Sequence, residues 1–180
     1  MTVFIALIRA IGPATHAKMS MKALREACEA AGLEKVATYI QTGNLIIGTR
    51  KSAAAVQAIV EIVLKGFGLD NLVVLRRPED IAAVIDADPF PEAAAARPGA
   101  LAVCFLAATP SEEAMARLAH YEGPEPFKLI GRDLCIDYVN GVTGSKLLPG
   151  VIERRLATPG TARNWNTVRK LLTLAQAFNT

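Results

Sequence analysis

Seven residues near the end of the chain, Thr161-Ala162-Arg163-Asn164-Trp165-Asn166-Thr167, gather hydrogen-bonding groups around the only tryptophan. Trp165, Val168, Leu172 and Ala175 recur at helical spacing, which predicts a helix from about Asn164 to Phe178. Asn164 or Asn166 then caps the helix and Trp165 packs in the core. Arg163 is a cation at the positive end of the helix dipole, an arrangement unfavourable by roughly 0.3–1 kcal/mol. Either a carboxylate of the chain balances it, or the free N–H groups of the helix start and the guanidinium fork together take an anion. On the second reading Arg163, Asn164, Asn166 and Thr167 are ligand-binding.

A second polar cluster falls at Tyr39-Ile40-Gln41-Thr42-Gly43-Asn44. Val36 to Gly48 reads as a hairpin with its turn at Thr42-Gly43. A two-residue loop pairs Gln41 with Asn44, Ile40 with Leu45 and Tyr39 with Ile46. Tyr39, Gln41 and Asn44 then share a face that offers hydrogen bonds and an aromatic ring, although turn chemistry accounts for the same residues. The expectation is that this tip and the Arg163 stretch line one polar groove. Arg9 and Lys18 add positive charge at the end of the first strand, where ligand sites gather. His16 between them is either an acid–base group or a solvated loop residue. Gly144-Ser145-Lys146 is similar to the tail of a phosphate loop without its upstream glycines, so Ser145 and Lys146 read as a second helix-start anion site.

Several chemistries have no support. HExxH, GxGxxG and GxSxG are absent, as is any cysteine–histidine cluster. Two histidines do not make a multi-histidine metal site, so no metal is expected, and the cofactor is left open. Asp133 and Asp137 alternate on one strand and read as solvent-facing. Cys28, Cys104 and Cys135 sit in apolar patterns and read as reduced core thiols, which points to the cytoplasm. The net charge of +3 and 6% aromatic content give nucleic-acid binding little support. No apolar run reaches membrane-helix length, and the opening segment reads as a strand rather than a signal peptide.

The elements that must position these groups follow from periodicity. Thr2 to Arg9 is a strand. Ala10 to Lys18 is a loop halted by Gly12-Pro13. A helix capped by Ser20 ends at Gly32. After the hairpin come a helix capped by Ser52 and a strand over Leu72 to Leu75. Asp86 to Gly99 is a surface connection. The pattern restarts with a strand at Ala100 to Ala107, a helix capped by Ser111, and a hairpin around Gly131-Arg132 that pairs Leu129 with Leu134 and Phe127 with Ile136. A helical segment follows Lys146, interrupted or restarted at Pro149-Gly150. This second half closes on a helix with no final strand. The chain is thus α+β, two βαββα(β) ferredoxin-like halves with mainly antiparallel sheets: 1–86, a connection at 87–99, and 100–180.

With the Tyr-Ile-Gln-Thr-Gly-Asn hairpin, Asp88-Pro89-Phe90, Ser145-Lys146-Leu147 and the Thr-Ala-Arg-Asn-Trp-Asn-Thr-Val stretch in view, the sequence resembles a bacterial family catalogued as domain of unknown function 1697. The resemblance runs the whole chain. It implies an α+β fold of two ferredoxin-like halves and no established activity. The chain departs from the family's Arg-Gly-Ile-Asn-Val-Gly-Gly loop, carrying Arg9-Ala10-Ile11-Gly12-Pro13-Ala14-Thr15 instead.

The functional expectation is a protein that binds an anionic, phosphate- or nucleotide-like molecule. Its rivals are an enzyme on such a molecule, with Arg163 and Lys146 holding the anion and His16 or Tyr39 moving a proton, and a protein–protein interaction module.

Overall fold

The computed structural model describes residues 1–178. The chain divides into two compact units, Met1–Ile81 together with the chain from Lys170 onward, and Ala82–Arg169.

The first unit contains β1 (Thr2–Ile8), α1 (Pro13–His16), α2 (Met21–Ala30), β2 (Lys35–Tyr39), β3 (Asn44–Thr49), α3 (Ala53–Gly66) and β4 (Val73–Arg76). The sheet runs β2-β3-β1-β4, with antiparallel neighbours throughout. Ser20 and Ser52 cap α2 and α3 as expected, accepting from the amides of Ala23 and Ala55. Where a plain loop is expected, Pro13 at the first helical position starts the single turn of α1. Leu24 and Cys28 of α2, with Val56, Val60 and Leu64 of α3, pack in one core with Phe4, Ala6, Ile8, Leu45 and Ile47 of the sheet.

The first hairpin corrects the expected register. Tyr39 pairs with Asn44, Thr38 with Leu45 and Ala37 with Ile46, so the loop has four residues rather than two. Ile40 leaves the strand because its φ is +50°, outside the extended region. Gln41 therefore sits in the loop, and the expected Gln41–Asn44 cross-strand pair does not form.

Between the sheets in sequence lie α4 (Pro78–Ala87), which runs from the first unit into the second, and α5 (Pro91–Ala96). The second unit then contains β5 (Leu101–Leu106), α6 (Glu112–Ala119), β6 (Phe127–Ile130), β7 (Asp133–Asp137), α7 (Pro149–Leu156) and β8 (Gly160–Asn164). α8 (Trp165–Phe178) begins there and ends in the first unit. Ser111 caps α6, and the two-residue loop at Gly131-Arg132 pairs Leu129 with Leu134 and Phe127 with Ile136 as expected.

Two expectations fail in this unit. It does close on a strand: β8 pairs antiparallel with β5, giving the order β6-β7-β5-β8. Thr161 and Arg163 are buried while Ala162 and Asn164 are exposed, the alternation of a strand, but an inward arginine disguises it. Nor does a helix follow Lys146. α7 starts only at Pro149, which occupies its first turn.

Cys28, Cys104 and Cys135 are free and buried, and burial pushes the thiols of Cys28 and Cys135 up to about 12. No helix among the described residues is long and apolar enough to cross a membrane. The described residues hold no group of His, Cys, Asp and Glu that can ligate a metal.

Candidate functional site

Arg163 stands two residues before the first residue of α8, in a strand that ends where that helix begins. It lies in β8, opposite Val103 of β5, and is 8% exposed. Its Nη1 donates to Thr161 Oγ1 at 2.7 Å and to the Ala162 carbonyl at 2.8 Å. Burial pushes its guanidinium down to about 10, so its charge is held at a cost. Its Nη1 is engaged by the strand that carries it, and these contacts mark Arg163 as a strand-edge brace. Asn164 is the cap of α8: its Oδ1 accepts from the amide of buried Thr167 at 3.0 Å. Asn166 is exposed, and Trp165 is buried as expected.

The hairpin tip lies in the first unit and Arg163 in the second, so neither unit holds the expected groove by itself. Asn44 is fully buried and donates to the Tyr39 carbonyl and to Thr42 Oγ1, both at 3.0 Å. It holds the turn together from within. Gly43 takes φ +78°, and a Cβ there would lie 2.6 Å from Ile11 Cγ1 and 2.9 Å from the Ile8 carbonyl oxygen. That contact seats the tip on the loop after β1. His16 joins it, with Nε2 2.9 Å from the Gln41 carbonyl oxygen. Arg9 meets Asn71 and Leu72 through its backbone, and Lys18 Nζ donates to the Gly68 carbonyl at 3.4 Å. Tyr39 is half-buried and Gln41 exposed.

A cleft lies elsewhere in the second unit. It encloses about 300 Å³ between the Tyr121–Glu125 segment and the 140–146 loop, with Asn140, Thr143, Ser145 and Lys146 on its wall. At its base the buried Glu125 carboxylate accepts from Tyr121 Oη at 2.8 Å and from Ser145 Oγ at 2.5 Å. Ser145 Oγ in turn accepts from the Leu147 amide at 3.0 Å. Burial pushes the Glu125 carboxyl up, but the hydrogen bonds from Ser145 and Tyr121 outweigh it, and the carboxyl is left below its ordinary value. Burial, then the bond to Glu125, raises the Tyr121 phenol.

The loop opposite turns on two left-handed glycines, Gly141 at φ +82° and Gly144 at φ +90°. The amides of Gly141 and Ser145 are used within the loop, on Tyr138 and Val142. Those of Thr143 and Gly144 have no acceptor among the described residues, and neither does Lys146 Nζ. Of the residues expected to bind ligand, the structure thus brings Ser145 and Lys146 to a cleft. It does so on a loop rather than at a helix start. Tyr121 and Glu125 escape a sequence reading, because the serine that completes their cluster is 20 residues beyond the carboxylate.

Asp133 and Asp137, expected in solvent, are buried, 2% and 4% exposed. Both lie on the face of β7 that carries Cys135, and Asp137 pairs with Arg97.

Comparison with known proteins places the chain in a family. The model of a family described as "Protein of unknown function (DUF1697)" matches residues 1–134. None of the curated proteins compared matches the chain. Among solved structures, the conserved bacterial protein SP0830 from Streptococcus pneumoniae is similar, with 21% identity and a TM-score of 0.73. The likeness covers 98% of this chain and 99% of that one, and it establishes a shared fold.

Proposed function

The chain belongs to the DUF1697 family, whose description assigns no activity, and from the geometry we propose that it binds a small anionic molecule in the cleft of its second unit. The observation that carries this reading is the fixed loop around Ser145. That side chain donates to Glu125 and accepts from Leu147, which holds Gly144-Ser145-Lys146 in place. Lys146 supplies an exposed cation, and the amides of Thr143 and Gly144 supply uncommitted donors beside it. Consecutive N–H groups in a loop with left-handed glycines form the concavity that takes phosphate or carboxylate oxygens. The Glu125 charge is covered by two hydroxyl donors, so it orders the cleft without dominating it. Nucleic acid stays a weaker reading, since the aromatic content is 6%.

The experiment is a titration of the protein with inorganic phosphate and with a nucleoside monophosphate, followed by backbone amide resonances. Saturable shifts at residues 140–146, weakened by Lys146→Ala in a folded protein, are expected. Shifts absent from that loop, or unmoved by Lys146→Ala, refute the reading.

A second reading, that the bound molecule is also turned over, is favoured by one contact. Ser145 Oγ stands 2.5 Å from a carboxylate that can accept its proton. Phosphate release from a phosphomonoester by the wild-type protein supports turnover, and saturable binding without release leaves binding alone.

A further inference from the structure

The Asp88-Pro89-Phe90 motif has no part in that cleft. It builds a different one, of about 260 Å³, bounded by Phe90, Pro91, Glu92, Ala93, Arg97 and Asp137. Asp88 takes φ +38°, which turns the chain sharply before buried Pro89. Lys128 then fixes the turn: its Nζ donates to the Pro89 carbonyl at 3.0 Å and lies 5.1 Å from the Phe90 ring centre. The half-buried Phe90 ring and the flanking prolines make one wall apolar.

The opposite pole is charged and only partly used. Arg97 Nε and Nη2 donate to the two oxygens of buried Asp137 at 3.1 and 2.5 Å. Nη1 has no partner among the described residues, and the Arg97 side chain is 38% exposed. Asp137 holds the guanidinium plane rigid, so the remaining N–H groups are pre-aimed donors. Glu92 also borders the pocket, acts on the Arg97 charge, and has no hydrogen-bonding partner among the described residues. A guanidinium edge and a free carboxylate beside an aromatic wall present opposite charges to one small molecule.

We propose that this pocket is a second binding site, for a small zwitterion with an apolar body, the pattern of an aromatic α-amino acid. The carboxylate of the ligand meets Arg97 Nη1, its ammonium meets Glu92, and its body lies against Phe90. A simple anion is disfavoured by Glu92 and Asp137, and a simple cation by Arg97 and Lys128. The volume sits at the small end of ligand pockets, which suits a molecule of this size. This site is independent of the Ser145 cleft.

The test is a titration of the full chain with L-phenylalanine, L-phenylalaninamide and N-acetyl-L-phenylalanine, followed by amide resonances. Saturable shifts at residues 89–97 are expected with phenylalanine, and about tenfold weaker binding with each blocked derivative. Glu92→Gln, at an exposed position, should weaken phenylalanine about tenfold and leave the acetylated derivative unchanged. No saturation by about 10 mM overturns the proposal. So does equal binding of all three compounds, which marks a merely apolar patch, or saturation confined to other residues.

Discussion

Arg76 and Arg163 occupy the same place in the two sheets. Arg76 stands opposite Ile5 of β1 and Arg163 opposite Val103 of β5, in each case on the strand that closes the sheet. Each donates Nη1 to the carbonyl of the residue before it, at 2.8 Å. Each precedes by two residues the first residue of a helix, Pro78 or Trp165. The correspondence continues next door, where Asn44 and Asp133 open the equivalent strands, opposite Leu7 and Phe105. The two units therefore share more than an order of elements.

Removing Arg163 should cost stability before it costs binding. Arg163→Ala strips the partners of Thr161 and Ala162 and leaves a cavity, a loss of about 2–4 kcal/mol. Arg163→Met keeps most of the volume without burying a charge, and should lose less than half as much. Urea unfolding of both variants measures the difference; equal losses would mean the charge itself is needed.

Glu125 should make the protein acid-sensitive. Its folded pKa lies below the ordinary 4.5, so the folded state favours the carboxylate. The stability this contributes is complete above the unfolded value and is lost as pH falls through the folded one. Glu125→Gln should flatten the dependence of unfolding free energy on pH below about 4.5. An unchanged slope would show that other carboxylates carry it.

The hairpin tip should respond oppositely to two substitutions. Gly43→Ala puts a methyl group against Ile11 and the Ile8 carbonyl at positive φ, and should destabilise by about 1–3 kcal/mol. Ile40→Asn relieves a β-branched residue at φ +50° that is 46% exposed, and should stabilise by about 1 kcal/mol. Thermal denaturation of the pair tests both signs.

Asn164→Ala should cost about 1 kcal/mol, because the Thr167 amide at the start of α8 loses its acceptor. Asn166→Ala, at an exposed position after the cap, should cost little. If chemical denaturation gives similar losses, Asn164 is not the cap that matters.

Local rules made part of this legible in the sequence. Ser20, Ser52 and Ser111 announce their helices because a cap needs only its own neighbours. The second hairpin is read correctly because Gly131 supplies the positive φ its two-residue loop needs. The first is misread because Ile40 takes such a φ against its own preference, held by contacts far away in sequence. β8 is missed for a related reason. A buried arginine looks like a ligand group when its partner on the neighbouring strand is 60 residues away, as Val103 is from Arg163. Separation in sequence also hides the cleft: Gly144-Ser145-Lys146 draws notice for its resemblance to a phosphate loop, whereas its actual organiser is a glutamate set between two prolines, 20 residues before the serine.

The buried thiols give the molecule a chemical clock. A thiol with its pKa raised to about 12 holds almost no thiolate near neutrality, so alkylating reagents must wait for the chain to open. Cys28 belongs to the first unit and Cys135 to the second. Their alkylation rates, resolved by peptide mass, therefore time the opening of each unit separately within one unlabelled wild-type chain. Matching rates across a denaturant series mean the units open together; diverging rates give the order in which they open.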